Sequence, residues 1–367
     1  MHLTIISHTE HYQSDKGKIL GLASTVMEIN AFLDIFDSIS HLAMLHEGKP
    51  PKNTSSYKSG VQFVAIPKIG GRKFVEKLEH VYSATKTLSI INMHLRNADY
   101  FQFRAPTGIG VYVIPFLVYF KRKNKGWFKY AGNWTQKNPP VSYYFQKRLL
   151  EKQSKKVTIN GFWHKQPEHC ITFENPCLTD LELEQGKIAR QNKSFSRDIE
   201  VCFVGRLESE KGFDLILDAL SRISKLEYLN LKMMHVVGTG HLIDVYKENS
   251  QHLSMQITFH GLLPRSKVHE LFVRSHALIL PSKSEGFPKV ISEAMNYGCI
   301  PIVSNVSSIG HYVKNGKNGL LIEPLSPFGL VEQLQRFFSI TPNELCSMME
   351  NVDFLQKFSY SYYNKRV

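Results

Sequence analysis

Pro281-Ser282-Lys283-Ser284-Glu285-Gly286-Phe287-Pro288-Lys289-Val290-Ile291-Ser292-Glu293-Ala294-Met295-Asn296-Tyr297-Gly298-Cys299-Ile300-Pro301 is the stretch whose reading decides the fold. Ahead of it, Ala277 to Leu280 is a short apolar run of strand type. Pro288 then suits the first turn of a helix and Gly298 its end, so the order is strand, loop, helix N-terminus. Two carboxylates sit on that scaffold, Glu285 on the loop and Glu293 about one and a half turns into the helix. Backbone amides around Gly286 and Phe287 are expected to point outward. A helix N-terminus carries unpaired donors and about half a positive charge, which suits a phosphate.

Working outward, the same alternation recurs. Strands are expected at Ile199–Val204, Leu231–Val237, Ile257–Gly261 and Leu320–Glu323, with a helix from Phe213 to Ile223. The N-terminal half repeats the pattern with strands at His2–Ser7, His41–Leu45, Val61–Ile66, Tyr100–Phe103, Trp127–Ala131, Val157–Asn160 and Cys170–Phe173. A helix is expected over Ile19–Phe36, where apolar residues fall at 22, 26, 29, 32, 33 and 36. Alternation at this frequency means parallel sheets whose sites lie at the strand C-termini. At 367 residues, two domains of about 150–200 residues are the expectation. We place them at 1–180 and 181–340, with C-terminal helices over 341–367 packing back on the first, and read Thr179 to Ser196 as a polar connection.

After Val204, Gly205-Arg206 and Lys211-Gly212 put a guanidinium and an ammonium at a strand end and helix entry. They suit a diphosphate, Arg by its fork and Lys as a point charge. Alone, the pair reads first as a solvated loop with two cations, and only the Glu285-Gly286-Phe287 stretch in the same half shifts the reading to phosphate. Likewise Glu293 reads alone as a helix-surface acid and Glu285 as a cap. Met295, Phe213, Leu215 and Leu217 belong to the core.

Together these motifs resemble the retaining nucleotide-sugar glycosyltransferases of the two-domain GT-B fold, family 4 (group 1) type, whose Glu-x7-Glu motif begins Glu-Gly-Phe. The resemblance covers residues 199–323. It implies an α/β fold of two facing Rossmann-like doubly wound domains with a cleft between them. It implies that Arg206 and Lys211 neutralise the leaving diphosphate, a task a metal performs elsewhere, that Glu285 lies near the donor sugar hydroxyls, and that Glu293 binds the ribose hydroxyls. Phe259-His260-Gly261-Leu262 matches the stretch whose backbone reads the base edge, and Gly238-Thr239-Gly240 matches the Val-Gly-x-Gly turn. Donor contacts are thereby expected at Gly205, Gly238, Leu262, Gly286, Phe287, Pro288, Val290 and Glu293, with Glu285, Arg206 and Lys211 as the catalytic set.

The N-terminal half departs from the family pattern. In place of a Gly-Gly loop stand Asp15-Lys16-Gly17 and Gly21, and Lys16 and Gly17 are expected phosphate or acceptor contacts. In place of a His-x-His stand Gln102 and Arg104. Arg104 cannot act as a base, its pKa lying at about 12 or more, so it is expected to hold an acceptor phosphate or carboxylate. The family is thought to use front-face attack with the leaving phosphate taking the acceptor proton, so no protein base is obligatory.

Net charge is +13, and its distribution is lopsided: residues 1–195 hold 27 Lys and Arg against 15 Asp and Glu, residues 196–367 hold 18 against 17. An anionic partner of the first half follows. Lys121-Arg122-Lys123-Asn124-Lys125-Gly126-Trp127-Phe128-Lys129 and Tyr143 to Arg148 mix cations with aromatics, and Lys152 to Lys156 adds three more cations. They read as contacts to anionic lipid headgroups or as solvated loops. Ile109 to Phe120, with Pro115 inside, falls short of the roughly 20 residues a membrane span needs and reads as a buried helix. Met1 to Ser7 is too short for a signal peptide. Five cysteines without Cys-x-x-Cys or zinc spacing read as reduced thiols in a cytosolic protein. The histidines lack i, i+4 metal spacing and no Asp-x-Asp occurs, so neither a metal nor a cofactor is expected.

The expected function is transfer of a sugar from a nucleotide diphosphate donor to a glycan or lipid-linked glycan, of the cell-surface polysaccharide type, in the cytoplasm at the inner face of the membrane. The alternative is a catalytically silent sugar-nucleotide or glycan-binding protein of the same fold. A nucleic-acid binder has only basicity in its favour and no reading motif. A phosphorylase or nucleotide-sugar epimerase of this fold ranks lower still.

Overall fold

The computed structural model describes residues 1–68, 75–195, 198–223, 231–253 and 255–367, of which 75–82 by backbone alone. The chain divides into two compact units, Met1–Glu174 with Asn364–Val367, and Asn175–Tyr363. The helices of residues 341–358 pack in the second unit, where Phe358 stacks on Phe287.

Among the described residues of the first unit nine strands form one sheet: β1 (His2–Gln13), β2 (Ile19–Leu22), β3 (Ser38–His46), β4 (Thr54–Ser56), β5 (Val61–Ile66), β6 (Tyr100–Ala105), β7 (Lys125–Tyr130), β8 (Val157–Ile159) and β9 (Cys170–Thr172). Seven of them run parallel in the order β5-β3-β1-β6-β7-β8-β9. This is a doubly wound order that reverses between β1 and β6. Helices cover both faces of such a sheet, so Leu3, Ile5 and Ile6 on β1 and Phe101 and Phe103 on β6 are fully buried.

Two expectations fail here. The helix expected over 19–36 begins only at Ala23 and runs to Ala31, because Ile19–Leu22 pairs antiparallel with His11–Gln13 as the return strand of a hairpin. The hairpin turns through Ser14–Lys18, closed by Ser14 N–H to the Lys18 carbonyl at 2.9 Å. The apolar run 109–120 is a helix over Gly110–Pro115 followed by a π-helical turn over Phe116–Phe120. It is buried at Ile109, Val113, Ile114 and Leu117 but leaves Phe120 78% exposed.

The second unit holds β10 (Ile199–Val204), β11 (Leu231–Val237), β12 (Gln256–Gly261), β13 (Ala277–Leu280), β14 (Ile300–Ser304) and β15 (Leu320–Ile322). All pairs are parallel, in the order β12-β11-β10-β13-β14-β15, which reverses between β10 and β13. Val201, Cys202, Phe203, Leu278 and Ile279 are fully buried at the centre of this core. The polar stretch expected as a connection is instead a helix, Asp180–Gln191. Thr179 Oγ1 accepts from Glu182 N–H and the Glu182 carboxylate accepts from Thr179 N–H, a reciprocal cap. All five cysteines are unpaired thiols.

Candidate active site

In open α/β sheets ligands bind outside the strand C-termini where the strand order reverses. In the second unit that place lies between the loops leaving β10 and β13. Backbone hydrogen bonds lace the loops there into one surface. Gly205 N–H reaches the Val237 carbonyl and Leu207 N–H the Thr239 carbonyl, each at 3.0 Å, Gly238 N–H the Gly261 carbonyl at 2.9 Å, and Lys283 N–H the Glu210 carbonyl at 2.8 Å. The approach needs glycine at two points. Gly238 has φ +137° and a Cβ there would lie 1.8 Å from the Gly205 oxygen; Gly212 has φ +73° and a Cβ would lie 2.1 Å from the Pro281 oxygen.

On this surface Lys211 Nζ donates to Glu285 Oε1. Both side chains are mostly buried, so the sequence-expected ammonium and acid are brought into contact from positions 74 residues apart. Arg206 lies on the same loop with its side chain 71% exposed and paired with Glu208 at 3.1 Å. Beyond Glu285 the amides of Gly286 and Phe287 find no acceptor among the described residues, while the Gly286 carbonyl accepts from Ser308 Oγ at 2.8 Å. These amides precede the helix Lys289–Asn296, whose N-cap is Pro288. The Phe287 ring is core rather than site: it is 3% exposed and packs on Tyr312 and Phe358. Val290 also packs against the core, and Leu262 is half-buried after β12.

Glu293 is engaged by a residue that the motifs did not mark. Arg265 Nη1 donates to Glu293 Oε1, Nε and Nη2 to the Glu182 carboxylate at 3.1 Å each, and Nη2 to the Cys177 carbonyl. Burial opposes the charge of Arg265, but Glu293 and Glu182 outweigh it and raise its pKa. Burial likewise pushes Glu182 up, and the Arg265 hydrogen bond and charge bring it net below the ordinary carboxylate value. The Thr-x-x-Glu signature of a capping box at Thr179–Glu182 was the available signal for this corner.

The first unit's candidates are arranged differently. Lys16 and Gly17 occupy the exposed hairpin turn. Gln102 is fully buried and its Oε1 accepts from Arg104 Nε at 2.9 Å. Arg104 Nη2 reaches Glu28 Oε1 at 3.0 Å, as does Lys129 Nζ at 2.5 Å. Arg104 and Lys129 are therefore engaged by a protein carboxylate. Lys155 is also spent locally, its Nζ donating to the carbonyls of Arg122 at 2.9 Å and Asn124 at 2.7 Å. Among the described residues no cluster of His, Cys, Asp and Glu is arranged to hold a metal ion.

Residues 184–352, which include the Lys211–Glu285 pair and Glu293, match the family described as glycosyl transferases group 1. The match covers a little under half of the chain. A 41.2 kDa uncharacterized protein in the cps region of Klebsiella pneumoniae is 23% identical over 198 residues, covering 51% of this chain and 53% of that protein. Across such curated relatives the chain spans between about a third and a half of their length. Solved structures resemble the chain over its whole length. Sucrose-phosphate synthase from Thermosynechococcus elongatus superposes with TM-score 0.72 at 14% identity, over 100% of this chain and 97% of that one. HepE from Anabaena, in complex with UDP-glucose, gives 0.68 at 13% identity, over 100% and 98%. The matched residues thus sit in a chain of GT-B fold.

Proposed function

We propose that the protein is a retaining glycosyltransferase that moves a sugar from a nucleoside diphosphate donor to a glycan or lipid-linked glycan acceptor. The observation that carries this reading is the contact of Lys211 with Glu285 at the reversal point of the second sheet, beside the free amides of Gly286 and Phe287. Arg206, exposed on the same loop, adds a second cation. In the proposed reaction the bond between the anomeric carbon and the diphosphate oxygen breaks, and Arg206 and Lys211 stabilise the charge that gathers on the departing phosphate. The acceptor hydroxyl attacks the same face and its proton passes to that phosphate. Glu285 binds the donor sugar hydroxyls and Glu293 the ribose. No cofactor enters this scheme. The similarity to a protein of a cps region and to a structure holding UDP-glucose supports a nucleotide-sugar donor and a polysaccharide setting.

The acceptor side is assigned to the basic first unit, at an anionic membrane surface. No described helix is long and apolar enough to cross a membrane. Phe120, Tyr119, Tyr144 and Phe145 are exposed next to Lys121, Arg122, Lys123 and Arg148, a combination suited to lipid headgroups and the interface below them. Co-sedimentation with liposomes that does not respond to anionic lipid content removes this part.

A thermal-shift screen against nucleotide sugars tests the donor assignment. A ligand at about 100 times its Kd stabilises by about 2.7 kcal/mol. Binding with release of the nucleoside diphosphate supports the transferase, binding without turnover supports a silent binding protein, and no shift with any member of the panel removes both.

A further inference from the structure

We infer that Arg265 is a positioning residue that sets the preference of the donor site for ribonucleotides over 2′-deoxyribonucleotides. The inference rests on the reading of Glu293 as the ribose-facing acid. Glu293 spends one carboxylate oxygen, Oε1, on Arg265, while Oε2 takes no hydrogen bond from a described residue. A carboxylate has two oxygens and about four acceptor positions, so one oxygen fixed by a guanidinium leaves the other to accept from a vicinal diol. A free Glu side chain would have to be ordered by the ligand at an entropic cost; here the protein has ordered it beforehand.

Arg265 is suited to that task by what holds it in turn. Its Nε and Nη2 lie 3.1 Å from the Glu182 carboxylate, and Nη2 also meets the Cys177 carbonyl. Glu182 is fixed by its reciprocal cap with Thr179. The planar fork is thus anchored on one edge by the start of the helix Asp180–Gln191 and presents the other edge to Glu293. A lysine carries the charge but not the fork, and cannot span both carboxylates with the same directionality.

The experiment measures Kd by calorimetry for whichever of UDP, ADP, GDP and CDP binds most tightly, and for its 2′-deoxy counterpart. Wild type is expected to favour the ribonucleotide by about tenfold or more, as the loss of a hydrogen bond to a charged group predicts. R265M is expected to bring the ratio near one, and R265K, with charge and fold retained, to lower it at least threefold. E182Q weakens the anchor of the fork while leaving its contact with Glu293, so its ratio is expected to fall between those of wild type and R265M. Should R265M not fold, R265K carries the test. Binding of none of the four nucleotides overturns the nucleotide-site reading itself. Nucleotide binding without ribose preference, or a ratio in R265K equal to wild type, leaves that reading standing and overturns the role of Arg265.

Discussion

Lys211, on the loop after β10, donates its ammonium to Glu285, on the loop after β13, so that a cation and an acid meet where the strand order of the second sheet reverses. In the proposed reaction an arriving diphosphate competes with Glu285 for that ammonium. Replacing Lys211 with Met should lower nucleotide-sugar turnover by about 10²–10³, the size of losing one preorganised donor to a developing oxyanion. Steady-state release of nucleoside diphosphate reads this directly, and turnover within twofold of wild type contradicts it.

Arg206 separates activity from stability. Its side chain is largely exposed and its partner Glu208 is two residues away. Exposed pairs of this kind contribute about 0–1 kcal/mol. Arg206→Ala should therefore leave urea unfolding almost unchanged while cutting turnover by about 10²–10³. A variant that loses stability and activity in parallel speaks for a structural role instead.

In the first unit, Glu28 is 2% exposed and takes both Arg104 and Lys129. Removing it leaves two cations in a site that excludes water. Glu28→Ala should cost about 3–5 kcal/mol of folding free energy, measured by denaturant unfolding. A cost under 1 kcal/mol shows that water reaches the pair.

The same unit holds histidines kept neutral by their surroundings. His11 Nδ1 lies 3.2 Å from the Thr9 carbonyl and so carries the proton; its Nε2 then accepts from Tyr57, whose oxygen accepts from His41 Nδ1, and His41 Nε2 accepts from Ser7 Oγ. Burial, aided by the charge of Arg104, pushes His11 down to about 4, against hydrogen bonds to Thr9 and Met44 that raise it. His41 is lowered for the same leading reason. A depressed folded-state pKa gives stability that is complete above the unfolded value of about 6.5 and is lost as pH falls toward the folded value. Stability should decline between pH 6.5 and 4 by up to about 3 kcal/mol from His11 alone. His11→Gln should flatten this slope; an unchanged slope assigns it to other groups.

How far the chain could be read in advance depended on the kind of signal. The strands Val61–Ile66, Ile199–Val204 and Leu231–Val237 were legible to the residue, because each is a short run rich in β-branched and apolar residues bounded by turn formers such as Gly60 and Pro67, Asp198 and Gly205, or Asn230 and Gly238. Motif order put Lys211 and Glu285 in the same half at strand C-termini, but their contact, made across 74 residues, was not legible. β2 was not legible, since Ile19–Leu22 runs without a break into a helical pattern and only its pairing with β1 makes it a strand. β14 lay hidden behind Gly298, where the helix ends and a strand begins two residues later. Arg265 carried no local signal: it sits at the first position of an ordinary amphipathic helix, and its partners lie 28 and 83 residues away. The pairing of Arg104 with Glu28 was hidden in the same way, across 76 residues.

The most direct test of the account is turnover of a nucleotide-sugar panel by wild type, Arg206→Ala and Glu285→Gln, followed by nucleoside diphosphate release. The account predicts that at least one donor is consumed by wild type and that both variants consume it about 10²-fold more slowly or worse. Wild-type protein that consumes no member of the panel, or variants that consume it at the wild-type rate, would contradict it.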